Sequence, residues 1–148
     1  MRLSCRSSLA RYGVSKKIML YSKNVKFQLE KDEGVDTVIA GYDIKSTYYR
    51  LYPDGYLLVK KGFAWDGATG AFDTKNIMRA SLFHDALLIM IGDNKLPVDH
   101  LPAANTLYKE ICIADGMTKI RAQYQYLAIE LYFRNGVKPE GSRTIYEL

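Results

Sequence analysis

The sequence is poor in cysteine and has no long apolar run. Among 148 residues only Cys5 and Cys112 are cysteine, and their wide separation fits neither a disulfide framework nor the ligand spacing of a zinc site. We therefore expect two free thiols in a reducing compartment. The longest purely apolar run, at 86–91, is far shorter than the ~18 residues that cross a membrane. The sequence thus predicts a soluble protein without a membrane span.

Acidic residues are absent from the start of the chain. Residues 1–29 contain seven Lys or Arg and no Asp or Glu, whereas the whole chain has 21 basic and 16 acidic residues. An organellar transit peptide is one interpretation, and a loosely ordered, solvated terminus is another. A third is a basic arm that contacts an acidic protein surface, an anionic surface or, less readily, nucleic acid. A lipoprotein signal is excluded because no apolar region precedes Cys5. We assign 1–24 as a basic arm and 25–148 as one domain.

Internal repeats and low-complexity segments are also absent, and the length suits one domain with a substantial core. Residues 25–67 form short β-type segments separated by turn signals, of which Pro53-Asp54-Gly55 favours a tight hairpin. The pattern then becomes helical, with helices predicted over 76–91, 97–114 and 118–135 and a further edge strand over 144–148. Strands followed by helices without alternation indicate an α+β fold, an N-terminal antiparallel sheet packed against three C-terminal helices.

The predicted helix ends and faces follow from particular residues. Asp73 or Thr74 suits the N-cap of the first helix, and Gly116 suits the left-handed position after the second. Gly136 lies just past the third helix. In that helix one stripe is apolar, and most of the twelve tyrosines of the chain lie at strand or helix core spacing. The stripe consists of Ile120, Tyr124, Leu127 and Leu131.

A histidine–aspartate pair stands inside the first predicted helix. Between Ser81 and Ile91 every residue except His84 and Asp85 is apolar, so the helix should be hydrophobic nearly all round and mostly buried. A carboxylate that is buried alone is costly, and Asp85 therefore requires a hydrogen-bond donor, a cation or a metal ion. The sequence predicts a polar site at this pair.

A glycine-rich turn at 62–74 precedes this helix and carries Asp66. Its glycines allow a close approach to the helix, so we expect Asp66 or its neighbours to contact the His84–Asp85 pair. A carboxylate partner would fix the tautomer of the imidazole and raise its basicity. Asp66, His84 and Asp85 are therefore the predicted catalytic residues, and the same three could hold a divalent metal ion. The polar residues that could complete the site are Ser81, Thr69, Arg79 and Asn105.

The same pair has a purely structural interpretation. Buried His and Asp side chains can satisfy backbone donors or fix the turn to the helix, and such networks do not require catalysis. The other histidine, His100, is predicted to lie at the surface near the start of the second helix. Tyrosine side chains could stack on nucleic acid bases, but their core spacing explains them adequately.

Several of these residues carry a resemblance to a known family. Asp-Gly-Ala-Thr at 66–69, Arg-Ala at 79–80 and His-Asp-Ala-Leu at 84–87 resemble the domain of unknown function 1353 family of bacteriophages and prophages, over about residues 56–136. Ala104-Asn105 and the helix that closes before Gly136 also agree. Leu88 replaces the tyrosine that is usual in the family, Asn105 replaces an aspartate, and the proline that commonly follows the turn is missing. Such a weakened polar set is typical of an inactive or repurposed member.

The resemblance implies a phage protein, which removes the transit-peptide interpretation. It implies a product of late, tail or lysis genes, located in the virion or the host cytoplasm, with other phage structural proteins as partners. We therefore expect a virion- or tail-associated protein with a His/Asp site. The alternative is a metal-dependent hydrolase of the bacterial cell envelope, with Asp66 and Asp85 as ligands, His84 as ligand or base, and water as nucleophile.

Overall fold

Strands occupy the first half of the described chain and helices the second. The computed structural model describes residues 21–23, 27–67 and 75–134. Residues 21–23, at the end of the predicted basic arm, form a strand. Predictions for residues 1–20 of the arm, the Asp73 or Thr74 cap, Thr69, Gly136 and the 144–148 strand lie outside the described residues and stay predictions. The described elements confirm the α+β class, with antiparallel strands followed by three helices.

The strands form two antiparallel sheets where the sequence suggested one. A three-stranded sheet has the order β1-β2-β7, and a four-stranded sheet has the order β3-β6-β5-β4. Within the β-type region at 25–67, a turn at 60–63 separates residues 56–59 from residues 64–65, and these two strands join different sheets. The strands are β1 (Tyr21–Lys23), β2 (Phe27–Leu29), β3 (Glu33–Asp36), β4 (Ile44–Lys45), β5 (Tyr49–Leu51), β6 (Tyr56–Val59) and β7 (Ala64–Trp65).

The Pro53-Asp54-Gly55 turn joins β5 to β6, as the sequence predicts. The Gly55 amide donates to the Tyr52 carbonyl at 2.9 Å, and Leu51 pairs with Leu57 across the hairpin. Gly55 has φ +91°, and a Cβ at this position would lie 2.5 Å from the Thr37 carbonyl oxygen. Only glycine combines this left-handed backbone with so close a neighbour.

Three α-helices follow the sheets, close to the predicted bounds. They are α1 (Lys75–Gly92), α2 (Leu101–Ala114) and α3 (Lys119–Tyr132), and a 3₁₀ turn at Val98–His100 leads into α2. Gly116 follows α2 with φ +104°, the left-handed conformation that ends many helices. The Thr118 hydroxyl caps α3 by accepting from the Arg121 amide. Helix α2 packs against both α1 and α3.

Helix α1 is the centre of the hydrophobic core. Sixteen of its 18 residues are buried, which confirms the prediction from its nearly continuous apolar sequence. Residues of both sheets and of all three helices join it in one hydrophobic cluster. The sheets therefore pack on the helices through α1. No described helix combines the length and hydrophobicity that crossing a bilayer requires.

The apolar stripe of helix α3 is exposed and does not face the core. Ala122 and Ile129 face the core, whereas Ile120, Tyr124, Leu127 and Leu131 are all more than half exposed. The expectation that tyrosines at core spacing are buried is thus wrong for Tyr124 and also for Tyr132. The reason is that α2 covers a side of α3 adjacent to the stripe, where it contacts Gln123 and Glu130.

Candidate functional site

A chain of hydrogen-bonded polar side chains links the three helices. Nε2 of His84 on α1 lies 2.6 Å from Oδ1 of Asn105 on α2. The Asn105 amide Nδ2 in turn donates to Oε1 of Glu130 on α3 at 2.9 Å. His84 is 4% exposed and Asn105 is fully buried. One histidine, one amide and one carboxylate thus tie the helical half of the protein together.

The direction of these hydrogen bonds fixes the tautomer of His84. Because Nδ2 of Asn105 donates to the Glu130 carboxylate, Oδ1 is the atom that faces the imidazole. Oδ1 can only accept, so the proton lies on Nε2 of His84. In the neutral ring Nδ1 is then the basic nitrogen.

Aromatic rings enclose the imidazole. The rings of Tyr108 and Phe133 meet the His84 ring edge to face, with centroids 5.4 and 5.7 Å away. Both aromatic side chains are buried.

Glu130, at the outer end of the polar chain, also affects the pKa of its neighbour Tyr126 on α3. Burial, followed by the charge of Glu130, raises the pKa of Tyr126. The polar chain therefore runs from an aromatic interior towards the surface of α3.

Asp85 follows His84 in the sequence and is buried as well. It is 9% exposed, so the prediction that this carboxylate is buried is confirmed. Consecutive residues of an α-helix point about 100° apart and do not face each other. The two side chains therefore leave α1 in different directions, and Asp85 takes part in interactions within the structure.

The segment before Asp66 contacts α1 through the single tryptophan of the chain. Nε1 of Trp65 donates to Oγ of Ser81 at 3.0 Å, and that hydroxyl donates to the Met78 carbonyl. Both residues are buried. The turn thus approaches α1, and the residue that it contacts is Ser81. Whether Asp66 itself contacts His84 or Asp85 stays a prediction.

Asp66 differs from the other two predicted site residues in being exposed. Within the ranges 21–23, 27–67 and 75–134, no three His, Cys, Asp or Glu side chains form a group that could hold a metal ion. The geometry therefore lends no support to a metal held by Asp66, His84 and Asp85. Their catalytic roles stay predictions.

Arg79, another candidate, forms an ion pair. Its Nε and Nη2 atoms donate to the two carboxylate oxygens of Asp115 at 3.0 and 2.9 Å. The two side chains are 5% and 8% exposed. This two-point geometry is the strongest that Arg and a carboxylate adopt, and it fixes the end of α2 to α1.

Sequence reasoning identified His84 and Asn105 but missed the other residues of the site. Glu130, Tyr108 and Phe133 showed no motif of their own, because their roles depend on how the helices pack. His100 does lie at the start of α2, as predicted, although it is half-buried and hydrogen-bonded to the Tyr42 hydroxyl at 2.8 Å.

The thiol of Cys112, the cysteine among the described residues, is unreactive at neutral pH. Cys112 is a free, buried thiol, and burial raises its pKa from 9.0 to about 12. Since the thiolate is the reactive form, Cys112 is not a nucleophile at neutral pH. This result agrees with the predicted free thiol.

No family model matches the chain, and no curated protein or solved structure shows significant similarity to it.

Proposed function

We propose that this chain is a virion- or tail-associated bacteriophage protein in which the His84 site organises the helices. The observation that carries the structural role is the burial of His84, whose imidazole is 4% exposed and hydrogen-bonded to Asn105. A scissile bond cannot reach such a side chain unless the surrounding helices separate. The phage assignment is supported by the resemblance of residues 66–69, 79–80 and 84–87 to the phage family.

Two motif positions that carry this resemblance contact each other. His84 and Asn105 are 21 residues apart in sequence and share the 2.6 Å hydrogen bond. Asn105 stands where the family usually has aspartate, and here its amide reaches Glu130 as well. The amide can donate and accept at once, so it joins an imidazole to a carboxylate, which a second carboxylate could not do without protonation. This substitution favours a structural connection over a reactive pair.

The proposal is tested on particles of the phage that encodes the chain. Purified particles would be separated on a density gradient, and the fractions would be analysed with an antibody against the protein. We expect the protein to sediment with the particles in a constant ratio to the capsid protein. Recovery solely from the unsedimented lysate would contradict a virion role.

The alternative function is metal-assisted hydrolysis of a cell-envelope bond. Its support is the tautomer of His84, in which the proton lies on Nε2 and Nδ1 is the basic nitrogen that general-base catalysis requires. The test is the clearing of purified cell walls by the protein with and without added Zn²⁺ or Mg²⁺. The chain offers a matched pair of variants, since it has only two histidines. Clearing that His84→Gln abolishes and His100→Gln retains would favour the hydrolase and contradict a solely structural site.

A further inference from the structure

Helix α3 presents an apolar face that no other described element covers. Of the seven large hydrophobic residues that are exposed in the described chain, five lie on this helix. Four of them form the stripe of Ile120, Tyr124, Leu127 and Leu131, with exposed fractions of 75%, 70%, 52% and 64%. A contiguous apolar face of this kind marks an interaction surface, whereas scattered apolar residues do not.

The spacing of the stripe indicates a helix as its partner. Successive stripe residues are separated by four, three and four positions, which is the alternation of the a and d positions in a coiled coil. The opposite side of α3 already faces the core through Ala122 and Ile129. Among the described residues nothing covers the stripe, so it can form a second helix–helix seam.

We propose that the stripe pairs with the stripe of a second copy of this chain, with the two α3 helices antiparallel. The order four, three, four reads the same in both directions, so a two-fold axis places Ile120 opposite Leu131 and Tyr124 opposite Leu127. Each layer then contains one leucine and one larger or β-branched side chain. An interface of identical patches closes after two copies, and antiparallel helices also align their macrodipoles favourably.

Charges next to the stripe suit this arrangement. At one end, between α2 and α3, lies a groove of about 550 Å³ that two ammonium groups border. In the antiparallel pair Glu130 of the second copy comes to the axial level of residue 121. It lies on the Gln123 side of α3, where Lys109 and Lys119 border this groove. A carboxylate thus approaches basic side chains, and no like charges meet across the seam. The groove is lined by Lys109, Ile113, Lys119, Ile120, Gln123 and Tyr124.

The area of the stripe is sufficient for a specific pair. Four large side chains from each copy would together remove on the order of 1,000 Å² from water, which is near the lower bound for a specific interface. The expected complex is therefore a reversible dimer whose population depends on concentration.

The first test measures the mass of the full chain in solution over a range of concentrations, by sedimentation or light scattering. We expect a monomer–dimer equilibrium that Leu127→Glu weakens about 30-fold or more, as for a central interface anchor. The matched control is Val38→Glu, because Val38 is 81% exposed and lies outside α3. Circular dichroism should show both variants folded. A wild-type monomer at all concentrations, or equal weakening by both variants, would overturn the proposal.

The second test measures orientation by disulfide cross-linking in a Cys5→Ser background. In the antiparallel pair Leu127 lies only about 4.5 Å along the axis from its counterpart, whereas Ile120 lies about 16 Å from its own. Leu127→Cys should therefore form a covalent dimer readily and Ile120→Cys should not. Equal cross-linking at both positions would indicate a parallel pair and overturn the antiparallel arrangement. Cross-linking at neither position, together with a monomeric mass, would indicate that another segment of the chain or a different protein covers the stripe.

Discussion

Nε2 of His84 donates to Oδ1 of Asn105 across a distance of 2.6 Å, and the same amide donates to Glu130. A single side chain on α2 thus satisfies a polar group on each of the two neighbouring helices. The stability of the helical half should depend on it more than on any residue of similar size at the surface.

We expect Asn105→Leu to lower the free energy of unfolding by about 1–3 kcal/mol, since it leaves a buried imidazole N–H without its acceptor. Urea denaturation followed by circular dichroism measures the change. The control is Thr47→Ala at an exposed position, which should stay within about ±0.5 kcal/mol. An Asn105→Leu variant as stable as the wild type would show that His84 finds another acceptor.

Asp85→Ala should also be destabilising, whether or not the site performs chemistry. Asp85 is 9% exposed, and its removal leaves the groups that bind the carboxylate unpaired at a cost of about 1–3 kcal/mol each. Asp99 is exposed, so Asp99→Ala is the matched control. Thermal unfolding of the two variants gives the comparison. An unchanged midpoint for Asp85→Ala would mean that the carboxylate has no buried partner of consequence.

The buried Arg79–Asp115 ion pair should contribute far more to the free energy of unfolding than the exposed Arg50–Asp43 pair. Asp115→Ala removes the carboxylate that pairs with a buried guanidinium, which costs about 3–5 kcal/mol. Asp43→Ala breaks the exposed Arg50–Asp43 pair, which is worth about 0–1 kcal/mol. Chemical denaturation at low and high salt distinguishes them further, because salt screens only the exposed pair. Similar losses for both variants would contradict the burial argument.

The Trp65–Ser81 hydrogen bond can be followed by tryptophan fluorescence. Trp65 is the only tryptophan in the chain and is 2% exposed, so tryptophan fluorescence reports on the surroundings of this one indole. Ser81→Ala leaves the indole N–H buried without its acceptor, and we expect a loss of about 1–3 kcal/mol and a shifted emission maximum. If neither the emission nor the unfolding midpoint changes, the turn before α1 is held by other contacts.

Cys112 should be unreactive until the protein unfolds. Its thiol is buried, and its pKa is raised from 9.0 to about 12, so a thiol reagent at pH 8 should label it only after denaturant is added. Because the folded pKa is the higher one, stability from the neutral thiol is intact below pH 9 and is lost as the pH rises towards 12. A Cys5→Ser variant isolates this thiol, and rapid labelling under native conditions would contradict its burial.

The sequence alone determined the helix over α1 and its burial. Sixteen buried residues of 18 follow from a run whose only polar interruption after Ser81 is His84 and Asp85, since such a helix has no face suited to water. The hairpin at Gly55 was equally predictable, because its turn chemistry is local. The sequence also indicated Asn105 as a neighbour of the site, through its position in the motif.

Only the tertiary structure decided which residues meet and which face of α3 is covered. Helical periodicity shows that Ile120, Tyr124, Leu127 and Leu131 share a face, but burial depends on which side α2 occupies. The partner of His84 is likewise set by helix packing, which brings Asn105 and Glu130 together over 25 residues of sequence. Local preferences act within a few residues, whereas these contacts follow from the shared burial of three helices, and no local pattern encodes them.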